Sequence, residues 1–200
     1  MSHRLAAVLI ALAAVCAACG SGSSSSSLGG PPVTKGPSDA SLVKAAKLTP
    51  CPSSSSQPVS HGLPDVTLPC VGAGPAVHLA GLTGTPSVVN VWASWCTECR
   101  PEMPYLLTLS SRLAGKVRVL GVDTADTDGG ALSFAAAHAM HYPSVSDPTN
   151  KVIDGLHISP GPPETAFVNA AGVVVHVHPG GYSSLGQLQH DVATYLHVSA

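Results

Sequence analysis

The chain has 200 residues, of which only 10 % are charged, and its formal net charge is −2. An ordinary soluble chain carries roughly 25 % charged residues, and no run of Lys or Arg occurs here, which sets nucleic acid aside as a partner. Two hundred residues give one domain plus extras rather than two full domains, and the ten His are the one unusual polar feature.

The chain opens like an export signal. Met1–Arg4 carries one fixed positive charge, and Leu5–Val15 is an unbroken apolar run. The stretch from Leu5 to Ala18 is too short to cross a bilayer core as a helix. It ends in Cys16-Ala17-Ala18-Cys19-Gly20-Ser21, which resembles a bacterial lipoprotein lipobox with Cys19 as the lipidated residue. The position three before Cys19, an aliphatic in that motif, is here Cys16. Acyl chains on Cys19 would hold the protein on the outer face of the cell membrane, whereas an ordinary secretory signal would release it. From Gly20 to Pro50 the composition is Ser, Gly, Pro and Ala with almost no large apolar residues, too little to order a segment. The reading is therefore a lipoprotein-type signal peptide at 1–18, a flexible tether at 19–50 and a folded domain at 51–200. Such a tether has a root-mean-square span of roughly 30 Å. Ser38–Leu48 is expected to form no more than a transient helix.

Export bears on the four remaining cysteines. Outside the cytosol thiols tend to oxidise, so disulfide chemistry is expected rather than metal ligation. Cys96 and Cys99 lie two residues apart, which leaves Cys51 and Cys70 as the natural second pair. Closing that loop contributes roughly 3 kcal/mol in the loop-entropy account and would staple the Pro/Ser-rich leading segment to the domain.

From residue 75 onward, strand and helix patterns alternate. Val77–Leu79 reads as a short strand, and Ser87–Trp92 as a buried central strand, continuous in β-branched and apolar residues. Cys96–Leu113 shows a helical face at Met103, Leu106, Leu107, Leu109 and Leu113, with Pro101 and Pro104 expected to kink it. Val117–Val122 is a second buried strand, Ala131–Met140 an Ala-rich helix, Tyr142–Ser146 a short strand and Lys151–Leu156 a helical turn or two. Thr165–Asn169 and Val173–His178 flank Ala170-Ala171-Gly172 as a hairpin, and Leu185–His197 closes as an amphipathic helix. This order predicts an α/β fold, a mixed central sheet with helices on both faces. Cys96 then sits where a buried strand meets a helix N-terminus, whose unpaired N–H groups and dipole favour a thiolate.

Trp92-Ala93-Ser94-Trp95-Cys96-Thr97-Glu98-Cys99 resembles the W-A-x-W-C-x-x-C signature of the thioredoxin superfamily, and Pro104 matches its helix proline. Cys99-Arg100-Pro101-Glu102-Met103-Pro104 is similar to the C-x-x-E-x-P of the exported TlpA/ResA/DsbE-like branch. Gly161-Pro162-Pro163-Glu164-Thr165-Ala166-Phe167 is similar to that branch's G-x-P-x-T-x-F, with Pro163 as the cis-proline facing the cysteines. The resemblance spans about residues 63–196. It implies a thioredoxin-like fold and thiol-disulfide exchange with exported proteins through Cys96 and Cys99, in cytochrome c maturation or general redox homeostasis. It implies no cofactor, a monomer, and a membrane partner that recharges the dithiol. Trp95 is expected to shield one side of the sulfur, and Pro163 to pack opposite it and keep metal off the dithiol.

Three positions refine this expectation. Thioredoxin carries a buried Asp where this chain has Asn90, which takes no proton; Glu102 matches the helix Glu that serves as base in the TlpA/ResA-like branch. Desolvation would raise its pKa into a useful range. Glu98, between the cysteines, disfavours the Cys96 thiolate and argues for a reducing or intermediate couple. Pro162, before the cis-proline, has no N–H, so one of two hydrogen bonds to a docked substrate backbone is lost.

The histidines offer a metal alternative. His138 and His141 are three apart on a predicted helix, and His176 and His178 share a strand face. Neither pair has a Cys or acidic residue at recognisable ligand spacing, so no metal site is expected. His157 and His190 read as surface residues, Tyr142-Pro143 as a structural turn, and Asp123, at the end of the second strand, as a helix cap or, failing that, a group facing the active-site edge. Zinc at Cys96/Cys99 lacks a second close pair. A thiol peroxidase needs a lone cysteine beside Thr and Arg, and a thioredoxin-fold copper relay a longer cysteine spacing with a dedicated His.

Overall fold

The computed structural model describes residues 39–55, 57–158 and 161–199. Its centre is a five-stranded sheet in the order β5-β4-β3-β6-β7. Strands β3 (Ser87–Trp92), β4 (Arg118–Thr124) and β5 (Ser144–Asp147) run parallel, and β6 (Glu164–Val168) and β7 (Val174–Pro179) are antiparallel additions. Every residue of β3 is buried, with polar Ser87 and Asn90 among the apolar Val88, Val89, Val91 and Trp92, as befits the middle strand of the sheet.

Strand parity sorts the core into two layers. Val88, Trp92, Val119 and Phe167 point to one side, into a cluster with α2 (Met103–Arg112), α3 (Asp128–Ala137) and α5 (Leu185–Leu196). Val89, Val91, Leu120, Val122, Ala166 and Val168 point to the other, where α4 (Lys151–Leu156) and a small antiparallel pair, β1 (Thr67–Leu68) with β2 (Val77–His78), cover them. Helices lie on both faces, as the element order predicts. The caps are local: Thr127 accepts from the Gly130 N–H at the start of α3, and Ser184 from the Gln187 N–H at the start of α5. No helix among the described residues is long and apolar enough to cross a membrane.

Two expectations fail here. Asp39–Ala46 is a formed helix, α1, packed on α3; Ala46 and Leu48 are buried in the main cluster with Leu42 and Val43 against it. Residues 39–50 therefore belong to the fold and not to a tether, because a short stripe of small apolar residues is enough once α3 supplies the partner face. The helix after the cysteines does not kink; it starts late. Pro101 and Pro104 cannot donate to residues 97 and 100, so residues 97–102 form consecutive turns and α2 begins at Met103 with Pro104 in its first turn.

The Cys51–Cys70 disulfide fastens the leading segment to the β5 edge. Its Cα atoms are 5.9 Å apart. Val71 N–H donates to the Ser144 carbonyl at 2.9 Å and Ser146 N–H to the Pro69 carbonyl at 2.9 Å, so residues 69–71 run along β5 as a short extra strand. The cross-link ties residue 51 to that strand and closes the otherwise open edge.

Candidate active site

Strand β3 ends at Trp92, and the chain turns through Ala93, Ser94 and Trp95 to Cys96. Cys96 and Cys99 form a disulfide with Cα atoms 5.4 Å apart. The Cys99 N–H points at Cys96 Sγ, 3.1 Å away, so the first sulfur occupies the position of a capping acceptor. That donor would stabilise a thiolate once the bond opens. Cys96 is 2 % exposed and Cys99 fully buried, whereas Trp95 stands 55 % exposed beside them with its indole N–H on the Ala125 carbonyl at 3.1 Å.

Glu102, three residues past Cys99, is fully buried. Asn90 reaches across from β3 and donates from Nδ2 to Glu102 Oε1 at 2.9 Å and to Thr165 Oγ1 at 3.2 Å. The Tyr182 N–H donates to Glu102 Oε2 at 3.1 Å. Burial pushes the Glu102 carboxyl up to about 7; the Asn90 and Tyr182 donors pull back, and the charge of Glu164 adds to the rise. A carboxyl near 7 can both take and return a proton at neutral pH.

The Pro162–Pro163 bond is cis. Ladder pairing places Val91 opposite Glu164, so Pro163 stands one step beyond, at the sheet end that carries the cysteines. Gly181 is the junction: a Cβ there would lie 3.3 Å from Pro163 Cγ, 3.3 Å from the Glu98 carbonyl and 3.6 Å from Glu102 Oε2. Proline, base and the loop between the cysteines thus meet at one corner. Glu98, Gly161, Pro162, Pro163, Glu164, Pro179, Gly180 and Gly181 line an open groove of 460 Å³ beside it.

The sequence reading gave no site role to Glu164, Tyr182 or Asp126, and favoured a helix cap for Asp123. Glu164, on the first residue of β6, lines the groove, and burial raises its pKa; a Glu at the head of a strand buried throughout was its only signal. Tyr182 holds Glu102 from 80 residues away. Asp123, expected to cap a helix, is fully buried at the end of β4, and as a carboxylate neither of its oxygens finds a donor among the described residues. Burial, then Asp126, Asp128 and Asp147, push it up to about 8; protonated, it can donate to Asp126. Asp126 in turn accepts the Ser94 N–H at 2.6 Å, directly ahead of Trp95 and Cys96.

The chain matches the Redoxin family over residues 58–192. It belongs to that family. A DsbE homologue, a thiol:disulfide interchange protein of Paracoccus denitrificans, is 39 % identical over 94 residues, 46 % of this chain and 50 % of its own length. The thiol-disulfide oxidoreductase ResA of Bacillus subtilis is 28 % identical over 108 residues, 54 % of this chain and 60 % of its own. This Redoxin chain therefore matches about half to three fifths of the length of these two curated relatives. Among solved structures, a secreted Mycobacterium tuberculosis disulfide oxidoreductase homologous to E. coli DsbE superposes with a TM-score of 0.56 at 24 % identity, over 65 % of this chain and 96 % of that one. That likeness establishes the thioredoxin-like fold.

Cys19 is outside the described residues. Helix α3 ends at Ala137, so His138 and His141 do not share a helical face; His138 lies against Phe134, with ring centroids 4.2 Å apart. His157 and His190 are exposed. Tyr142 is buried with its hydroxyl on Met103 Sδ at 3.3 Å.

Proposed function

We propose that this chain is an extracytoplasmic thiol-disulfide oxidoreductase. The observation that carries the reading is a Cys96–Cys99 disulfide sharing one corner with a buried carboxyl raised to about 7 and a cis-proline. In the reducing direction the Cys96 thiolate attacks a substrate disulfide, forming a mixed disulfide and releasing one substrate thiolate. Glu102 takes the Cys99 proton, and the Cys99 thiolate attacks Cys96 Sγ, closing the Cys96–Cys99 bond and releasing the second substrate thiolate. Two electrons pass to the substrate. Trp95 and the groove at Pro162 and Pro163 bind the substrate chain, and the residue 51–70 bond is structural.

The relatives' names support exchange with exported protein thiols, and a role in cytochrome c maturation is in keeping with them. The apolar leader and the lipobox-like Cys19 support export and a lipid anchor, with a membrane redox partner that recharges the dithiol and a monomeric enzyme. The test is equilibration of the full chain in glutathione buffers with thiol trapping. The expected result is reversible reduction of Cys96–Cys99 alone, nearer the thioredoxin potential of about −270 mV than the strong-oxidant value of about −120 mV. A Cys96–Cys99 bond that does not exchange with glutathione would sink the reading.

A further inference from the structure

The far edge of the sheet carries a second group of side chains that disulfide exchange does not use. His178 lies opposite Thr165 and His176 opposite Phe167 in the β6–β7 ladder, so both point to the face covered by α5. Helix α5 brings Asp191 up to them. One ligand-type atom from each of His176, His178 and Asp191 lies within 4.8 Å of the other two. The acidic partner that the histidine pair lacks in sequence is thus supplied by a different element.

The arrangement is held from outside. The His176 ring stacks on Tyr195 with centroids 3.9 Å apart and planes 12° off parallel, and the His178 ring stacks on Tyr182 at 4.1 Å and 18°. The Tyr182 hydroxyl donates to Asp191 Oδ2 at 2.8 Å, and His178 Nδ1 lies 3.0 Å from the same oxygen. The His178 and Asp191 side chains are 17 % and 13 % exposed. A simple ion pair accounts for His178, Asp191 and Tyr182. It leaves out His176, whose ring makes no hydrogen bond among the described residues although it is pinned beside the pair.

We propose that His176, His178 and Asp191 form a binding site for a borderline divalent transition-metal cation, with Zn²⁺ as the reference ion. Two imidazoles and one carboxylate are a donor set that such ions accept, leaving one position open to water. Ligand atoms around tetrahedral zinc sit roughly 3.4 Å apart, which follows from bonds of about 2.0–2.1 Å. Small side-chain shifts from the present spacing reach that geometry. The Tyr182 hydroxyl is the outer hydrogen bond that orients the carboxylate. Tyr182 also holds Glu102 through its backbone N–H, so a bound ion would stiffen the segment that supports the base.

The test is zinc binding by the full, tag-free chain carrying Cys16→Ser and Cys19→Ser with the Cys51–Cys70 and Cys96–Cys99 disulfides closed, so that no thiolate competes. Free zinc is followed with a chromophoric chelator, and Co²⁺ absorption reports the coordination geometry. The expected result is about one tightly held zinc ion, weakened at least roughly 10- to 100-fold by His176→Gln or Asp191→Asn, and less by Tyr182→Phe. The double change His138→Gln and His141→Gln leaves binding unaltered. Because the His176 ring makes no hydrogen bond among the described residues, its variant decides the matter even if Asp191→Asn destabilises the fold. No zinc uptake by the parent chain, or uptake indifferent to His176→Gln, overturns the site. Neither outcome touches the dithiol chemistry, which is closed off in this experiment.

Discussion

Two buried acids flank the end of β3, and their surroundings differ in one respect. Glu102 and Asp123 are both fully buried, and burial is the largest cause of the upward shift in each. Glu102 receives two donors, the Asn90 amide and the Tyr182 N–H, and comes to rest at about 7. Asp123 receives none, faces Asp126, Asp128 and Asp147, and goes to about 8. Desolvation alone makes an acid that stays protonated. Donors turn it into one that can release its proton at working pH in a fixed orientation.

The largest effect is expected from removing the tuned acid. Glu102→Gln keeps the Asn90 contact but cannot take the Cys99 proton, so decay of the Cys96 mixed disulfide slows by roughly 100-fold or more. Formation of that mixed disulfide is little changed. Rapid-quench trapping separates the two steps, and equal slowing of both would show Glu102 to be a packing residue only.

The untuned acid is expected to show itself in stability. Asp123 holds a proton in the folded state from about pH 4 to about pH 8, where the unfolded chain has lost it. The folded state then binds more protons, so stability falls as pH rises through that window, by an amount on the order of 5 kcal/mol. Glu102 adds a smaller fall of the same sign between its ordinary value and about 7. Denaturant unfolding at pH 5 and pH 8 should show Asp123→Asn losing markedly less stability than the parent chain. An unchanged difference would mean that Asp123 is ionised in the fold.

Exchanging the environments sharpens the contrast. Asn90→Leu strips Glu102 of one donor and leaves it closer to the condition of Asp123. Its midpoint then moves above about 7, and at pH 7 the smaller carboxylate fraction slows resolution severalfold. A downward movement in the pH–rate profile would contradict this. The smallest effect concerns the groove. Pro162→Val restores an N–H beside the cis-proline, and turnover on a peptide disulfide should rise a few-fold while that on glutathione disulfide stays put. Equal response of the two substrates would remove Pro162 from peptide docking.

How much of this was legible in sequence follows from how far each interaction reaches along the chain. The buried β3 run, the Cys96–Cys99 spacing, Glu102 and the β6–β7 hairpin are short-range patterns, and each could be read directly. The start of α2 was misplaced because periodicity registers Met103, Leu106 and Leu109 but not the donors missing at Pro101 and Pro104. Helix α1 reads as tether in sequence because Leu42, Val43 and Ala46 mean little until α3 stands opposite them. Asp123 was read as a cap because a strand-end Asp usually finds N–H groups. Here Asp126 accepts the Ser94 N–H at that end of the sheet, and Asp123 goes without one among the described residues. Tyr182, in the loop before α5, and Asp191, on α5, are ordinary residues in sequence whose roles exist only where β7 and α5 converge.

The most direct test of the account is a ¹³C NMR titration of the side-chain carboxyls in the full chain with both disulfides closed, assigned with Glu102→Gln and Asp123→Asn. The account predicts a Glu102 midpoint at about 7, below that of Asp123 at about 8. A Glu102 midpoint in the ordinary carboxylate range, near about 4.3, would contradict it: Glu102 would then be a permanent buried anion and not the proton acceptor for Cys99.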